Sequence, residues 1–237
     1  MSREKKPFRF KQFVVRHDRS MKVGTDAVLL GAWADVRNAN ALLDVGTGSG
    51  IIALMLAQRT LPEARIEAIE IDKISYGEAS ENITHSPWPE KIKVLHTSLQ
   101  EFHPDMKFDH MVSNPPYFIG SLLPASPARE HARHTSSLSY PALLTSVKDH
   151  LKVTGKLSII LPTVEGEHFQ SMAAQMGYHC SRRLAFFSRK GKPQERWLME
   201  FIFSPVSTVT DRLILYDDGE EWSKEYKALT GAFYLSA

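Results

Sequence analysis

Cysteine occurs once in the 237 residues, as Cys180. That excludes an internal disulfide and any multi-cysteine metal cluster, and it makes a reducing, cytoplasmic setting the natural one. Long apolar runs are missing as well. The longest, around Ile51 to Ala57, is far too short to cross a bilayer, so no membrane partner is expected. Charges interrupt every apolar residue between Met1 and Lys11, which leaves no core for a signal peptide. Charge of one sign is barely in excess: net +2, so any contact with nucleic acid must come from local patches. The histidines are scattered, with no pair at metal-ligand spacing and no Ser-His-Asp set, so neither a metal nor a hydrolase triad is expected. No internal repeat or low-complexity stretch is visible, and no obligate protein partner is indicated. The length suits one large domain with small additions.

What is present centres on Asn114-Pro115-Pro116-Tyr117, which follows the strand-like Phe108-Asp109-His110-Met111-Val112-Ser113. Neither proline has an N–H for a sheet ladder, and Pro115 pushes Asn114 out of the helical region. The strand must stop there. Its last polar residue and an aromatic ring are left at the C-terminal edge, where open α/β sheets bind ligands. A carboxamide, a fixed carbonyl and a flat ring suit a planar group carrying an NH2. A tight Pro-Pro turn without a ligand accounts for the same four residues.

A second signal lies upstream. Ala41-Leu42-Leu43-Asp44-Val45 is a short apolar strand, Gly46-Thr47-Gly48-Ser49-Gly50 a turn, and Ile51 to Arg59 an apolar helix. Glycines let the backbone approach a ligand, and the helix N-terminus follows directly. The next strand, Arg65 to Asp72, ends in acids about twenty residues after the turn, the spacing used for ribose hydroxyls. A dinucleotide fingerprint needs G-x-G-x-x-G, whereas Gly50 comes one position early, and no lysine follows as in a phosphate-binding loop. The turn therefore suits a nucleoside cofactor without a pyrophosphate. A bare strand-helix turn is the alternative.

Strands and helices go on alternating: helix 75–84, strand 91–96, strand 108–113, helix 139–152, strand 156–161, helix 165–176. Two late strands, 184–188 and 196–203, have no helix between them and predict an antiparallel hairpin. The pattern predicts an α/β fold with a doubly wound parallel sheet and right-handed crossovers. Before it, residues 1–34 form a basic arm with alternating Phe8, Phe10, Phe13 and Val15, then an entry helix starting at Ala27 and capped by Thr25 or Asp26. After it, residues 205–237 form a C-terminal extension whose Trp222, Tyr226, Phe233 and Tyr234 read as docking residues. Two basic patches, one with Arg129 and Arg133, the other with Lys190 and Lys192, are expected over the ligand edge. They can hold a phosphate backbone or be a solvated face, as can Lys11 and Arg16 in the arm.

Leu43 to Gly50, Glu70 and Asn114-Pro115-Pro116-Tyr117 together resemble the Rossmann-like, S-adenosylmethionine-dependent methyltransferases that act on amines of bases or on a glutamine amide. Phe8-x-Phe10-Lys11-Gln12-Phe13, Met21-Lys22-Val23-Gly24-Thr25-Asp26, Leu29-Leu30-Gly31-Ala32-Trp33, Phe118 and the ending Leu229-Thr230-x-x-Phe233-Tyr234-Leu235 are similar to the bacterial tRNA1(Val) adenine-N6 methyltransferases. The match spans nearly the whole chain. The resemblance implies one methyltransferase domain over 1–237, with a mostly parallel seven-stranded sheet whose last strand is antiparallel. It implies S-adenosyl-L-methionine as cofactor, no metal, and methylation of adenosine 37 beside the anticodon of a valine tRNA. A protein glutamine-N5 methyltransferase, or another RNA base amino-methyltransferase, would use the same motif. By that resemblance the catalytic residues are Asn114, Pro115, Pro116 and Tyr117. Asp44, Gly46, Thr47, Gly48, Gly50, Glu70, Ser98, Leu99, Thr25 and Asp26 are expected at the cofactor. Phe118, Arg129, Arg133, Lys190, Lys192, Arg196, Lys11 and Arg16 are expected at the RNA.

Overall fold

A computed structural model describes residues 6–17, 23–116, 138–217 and 219–235. The chain begins with two short strands, β1 (Phe8–Arg9) and β2 (Val14–Val15), paired antiparallel, and then α1 (Thr25–Trp33). The alternation of the arm is resolved by burial. Phe10, Phe13 and Val15 face the core, while Arg9, Lys11 and Arg16 stay exposed. The Phe10 ring stacks on Phe13 at 4.6 Å and on Tyr234 at 5.8 Å. The Lys11 N–H donates to the Phe233 carbonyl at 2.7 Å, so the two ends of the chain are sewn together.

The α/β alternation follows as β3 (Ala41–Val45), α2 (Ile51–Arg59), β4 (Arg65–Glu70), α3 (Lys73–Thr84), β5 (Ile92–His96) and β6 (Phe108–Ser113). Beyond residue 137 come α4 (Tyr140–His150), β7 (Leu151–Pro162), α5 (Thr163–Gln175), β8 (His179–Arg189), β9 (Arg196–Ile202), β10 (Val209–Tyr216) and α6 (Lys224–Thr230). The main sheet runs β10-β8-β9-β7-β6-β3-β4-β5. From β7 to β5 all neighbours are parallel, and β9 is antiparallel to both β7 and β8. The central strand β3 is buried at every residue, as a parallel strand covered on both faces must be. One apolar layer holds α1, α2 and the aromatic termini; the other holds α4 and α5.

The late hairpin forms as expected, but the sheet has eight strands, one more than the expected seven. The extra one, β10, pairs in parallel with β8 inside the segment assigned to the C-terminal extension. Its Asp211 and Arg212 hide the strand pattern, and an edge position tolerates them: Val209 to Arg212 are exposed and only Leu213 is buried. The aromatics of the extension do dock, with Tyr226 and Phe233 at 2% and 1% exposure. Two helix boundaries also move. α1 starts at Thr25 with Gly24 at the cap position and no side-chain cap bond, so neither Thr25 nor Asp26 is the cap. α4 ends at His150 and the chain passes straight into β7, whose first residue pairs with Phe108.

Candidate active site at the C-terminal edge of the sheet

The strand ends bring the two motifs side by side. β3 and β6 are neighbours, with Val45 opposite Ser113. The Ser113 hydroxyl, buried, donates to the Val45 carbonyl at 3.0 Å. That bond locks the start of the Asn114 turn against the start of the glycine turn. Asn114 is half-buried, Pro115 buried and Pro116 exposed.

In the glycine turn, Gly46, Gly48 and Gly50 have φ of 72°, 59° and 82°, all in the left-handed region that L side chains rarely adopt. A Cβ on Gly46 or Gly48 meets nothing within 4 Å, so conformation rather than crowding dictates glycine there. The N–H groups of Gly46 and Thr47 both donate to the Ile69 carbonyl on the next strand, at 3.0 and 3.1 Å. Glu70 closes the arrangement. One carboxylate oxygen accepts from the Gly48 N–H and the other from the Asp72 N–H, each at 2.9 Å. Its carboxylate is thereby aimed, with lone pairs left over for a vicinal pair of hydroxyls.

Asp44 sits beneath the turn and is fully buried; it contributes to neither cavity wall described below. It accepts from the Thr47 hydroxyl at 2.6 Å and from the Ala53 N–H at 3.1 Å, pinning the turn to the first turn of α2. Its other oxygen has no hydrogen-bond partner. Burial pushes its carboxyl up to about 7, against those two bonds, and the nearby Glu70 charge adds to the push.

Two cavities flank this edge. The first, about 500 Å³, is lined by Gly46, Gly48, Glu70, Ser98, Leu99 and Glu101, among others, and by Asn114, Pro115 and Pro116. The second, about 570 Å³, is lined by Thr25, Asp26, Thr47, Phe186, Ser188 and Arg196, among others, and again by Asn114, Pro115 and Pro116. Both are within the size range of small-molecule sites. The Asn114 turn is therefore the shared wall. Gly46 and Gly48 also border both.

The other expected residues fall as follows. Ser98 and Leu99 are in the first cavity; Ser98 donates its hydroxyl to Glu101 at 2.9 Å. Gly50 shapes the turn without lining either cavity. Thr25 and Asp26 line the second cavity, not the first. Lys190 and Lys192 are exposed at the tip between β8 and β9. Arg196 is in the second cavity, ion-paired with Asp26 at 2.9 Å. Lys11 and Arg16 line neither cavity: Lys11 donates to the Gly231 carbonyl at the end of α6, and Arg16 lies 3.9 Å from Glu81. Tyr117, Phe118, Arg129 and Arg133 lie outside the described residues.

Three contributors escaped the sequence reading. Ser113 is one and Glu101 another. The third is Asn82, 3% exposed, whose side-chain amide donates to the carbonyls of Ser49 and Arg16 while its oxygen accepts from the Arg16 N–H, all at 2.9 Å. It ties the basic arm to the back of the glycine turn. Nothing in its sequence neighbourhood marks it, because all of its partners are backbone groups far along the chain.

The sheet order, with one antiparallel strand beside a parallel set, and a ligand edge built on glycine turn, acid and Asn-Pro-Pro, define a class I methyltransferase. Comparison with solved structures agrees on the fold. A predicted O-methyltransferase from Agrobacterium tumefaciens superposes with a TM-score of 0.70 at 19% identity, covering 88% of this chain and 96% of that one. A methyltransferase from Pyrococcus furiosus gives 0.56 at 21% identity, covering 80% and 88%. The family model described as methyltransferase small domain matches residues 19–179. A protein of Bacteroides thetaiotaomicron named tRNA1(Val) (adenine(37)-N6)-methyltransferase is 43% identical over 229 residues, covering 96% of this chain and 97% of that one. A protein of the same name from Citrobacter koseri is 42% identical over 231 residues, covering 96% and 94%. The chain belongs to the methyltransferase small domain family and, within it, to the family of these bacterial tRNA1(Val) methyltransferases.

Proposed function

We propose that this protein transfers a methyl group from S-adenosylmethionine to the exocyclic N6 amine of an adenosine in tRNA, adenosine 37 of a valine tRNA. The observation that carries the reading is the Asn114-Pro115-Pro116 turn standing as a common wall of two cavities, which we assign to the cofactor nucleoside and to the target base. The names of relatives more than 40% identical over nearly the whole chain support the choice of tRNA. So do the exposed Lys190 and Lys192 on the hairpin that walls the second cavity. Arg129 and Arg133 join them on sequence grounds alone, as do Tyr117 and Phe118 at the base. The whole of 1–237 is taken as one working unit of the cytoplasm, needing no metal.

The first cavity fits the cofactor. Glu70 offers anchored carboxylate oxygens to ribose hydroxyls, the glycine turn offers backbone without side chains in the way, and Ser98, Leu99 and Glu101 border the far end. The cofactor supplies an electrophilic methyl on a sulfonium. The chain supplies orientation. An adenine amine is a weak nucleophile because its lone pair is delocalised into the ring. In this reading the Asn114 side-chain oxygen and the Pro115 carbonyl each accept one amine N–H, which turns the lone pair toward the methyl and favours a tetrahedral nitrogen. The surplus proton leaves through the same acceptors or to water. Tyr117 would stack on the base, which an anticodon loop presents at lower unstacking cost than a duplex does.

The test is mass spectrometry of tRNA nucleosides from a strain lacking the gene, beside the complemented strain. Loss of N6-methyladenosine at position 37 of the valine tRNA, restored on complementation, is the expected result. Unchanged tRNA together with loss of a methylated glutamine in a protein would replace this reading by the glutamine-N5 one.

A further inference from the structure

The second cavity is closed by residues remote in sequence. On one side is the first turn of α1, with Thr25 and Asp26; on the other is the base of the β8–β9 hairpin, with Phe186, Ser188, Glu195 and Arg196. Across it the Arg196 Nε–H donates to the Asp26 carboxylate at 2.9 Å, and the two side chains are 26% and 19% exposed. We infer that the Asp26–Arg196 ion pair is a latch that fixes the width of the target pocket, making both of them positioning residues for the nucleoside; the inference rests on the second cavity being where the target base enters.

Three observations carry it. First, the hairpin base is tied to the rest of the fold on its other side. The Thr163 N–H donates to the Glu195 carbonyl at 3.2 Å, the Thr163 hydroxyl to the Gln194 carbonyl at 2.9 Å, and the Glu195 N–H to the Phe186 carbonyl at 2.9 Å. The wall opposite α1 is thus a defined body. Second, α1 is held to the same pair of strands at its far end, where Arg182 donates to the Trp33 carbonyl at 3.0 Å and lies 4.1 Å over the Trp33 ring. Loss of the latch therefore frees the cavity end while the other end keeps the helix docked. Third, Arg196 also donates to the Glu195 carbonyl at 3.0 Å, so its guanidinium is held on the hairpin side and reaches across as a planar fork. The same hairpin carries Lys190 and Lys192 at its tip. Backbone docking of the RNA and placement of the base then pass through one rigid unit, and a shift of the order of 1 Å at that unit is enough to spoil the approach of the amine to Asn114.

The test uses the full chain and an unmodified valine tRNA transcript. Arg196→Met keeps the stem and removes the charge. KM for the tRNA is expected to rise about tenfold with a smaller fall in kcat, while cofactor affinity stays within about twofold. Arg196→Lys retains a cation for Asp26 but not the fork that also holds Glu195, and is expected to recover only part of the loss. Asp26→Asn is expected to raise KM in the same way, and the double variant to be no worse than either single one, because both remove one interaction. Thermal unfolding of each variant shows whether the fold is kept. The latch is overturned if KM is unchanged, if cofactor affinity falls in step with it, or if the two substitutions add. A wild type that binds the cofactor and leaves the tRNA unmethylated overturns the functional reading and the latch with it. A wild type that methylates beside an Arg196→Met of equal KM overturns the latch alone.

Discussion

The two cavities share the Asn114 turn and the glycine turn, and their remaining walls are built in opposite ways. The first is assembled from the ends of adjacent parallel strands, β3, β4, β5 and β6, each delivering its next few residues to one edge. Its geometry follows from strand register alone: Glu70 reaches Gly48 because β3 and β4 are in register up to Val45 and Ile69. The second is closed by an N-terminal helix, a late antiparallel hairpin and Leu215 of the edge strand, which meet only when the whole sheet has formed. A cofactor site of the first kind can be robust to change elsewhere. A target site of the second kind can be altered by moving one hairpin, without touching the chemistry.

The sharpest is Asn114→Ala, on the shared wall. If the Asn114 oxygen acts on the nitrogen that changes geometry, its contribution grows in the transition state. Methyl transfer is then expected to fall on the order of 10²–10³-fold, by analogy with a lost oxyanion-hole donor. Cofactor affinity is expected to stay near that of the wild type. Single-turnover methylation with labelled cofactor measures the first and calorimetry the second. A wild-type rate would reduce the turn to a structural element.

Glu70→Ala addresses the first cavity alone. It removes acceptors for two hydroxyls and the anchor for the Gly48 and Asp72 N–H groups, so cofactor binding is expected to weaken by about 1.5–3 kcal/mol. Tetrahedral geometry at the target amine does not depend on Glu70, so the rate at saturating cofactor is expected to change much less. Equal affinity of variant and wild type by calorimetry would remove Glu70 from the ribose.

The different construction of the two cavities also explains what was legible in the sequence. The glycine turn and the Asn-Pro-Pro turn each start one residue beyond a strand, the acid is the last residue of another, and alternation of strands and helices is enough to put them on one edge. The pairing of Asp26 with Arg196 is not legible in the sequence, since it depends on which strand lies beside which; read from sequence, the two residues point to separate ligands. Ser113, Asn82 and Glu101 were missed because their partners are backbone carbonyls or a neighbour's hydroxyl, which no motif displays. The edge strand β10 was missed because its burial is one residue deep at Leu213.

Asp44, under the turn that borders both cavities, ties stability to pH. Its folded value of about 7 is raised from an ordinary 3.8, so the folded chain holds a proton that the unfolded chain has released. Stability from this group is therefore full at low pH and is lost as pH rises through that window. His110 acts in the other direction. Burial, aided by the cations of Lys156 and Arg182, pushes its imidazole down to about 3, so its contribution is lost as pH falls below the ordinary 6.5. Asp44→Asn keeps an acceptor for Thr47 and Ala53 and removes only the first effect. The stability of the variant relative to wild type is expected to grow with pH, by on the order of 1 kcal/mol per unit at its steepest, and to level off above neutrality. Urea unfolding across pH measures it. A constant difference would mean that Asp44 is ionised throughout.

The smallest effect is expected at the hairpin tip, and it tests the target side without entering the cavity. Lys190 and Lys192 are exposed and lie beyond the residues that line either cavity. If they meet phosphates, each neutralises one charge and releases a counterion. Replacing both with Ala is then expected to flatten the dependence of log affinity on log salt by about 1–2 units of slope, with only a modest loss of affinity at physiological salt. Cofactor binding is expected to be unaffected, because no residue of the first cavity belongs to the hairpin. The contrast with Arg196 is informative here. Arg196 acts on placement and is expected to change KM, while the tip lysines act on attraction and are expected to change the salt slope. Filter binding at several salt concentrations reads the slope directly. An unchanged slope in the double variant would make the tip a solvated surface and leave RNA attraction to the other basic segments.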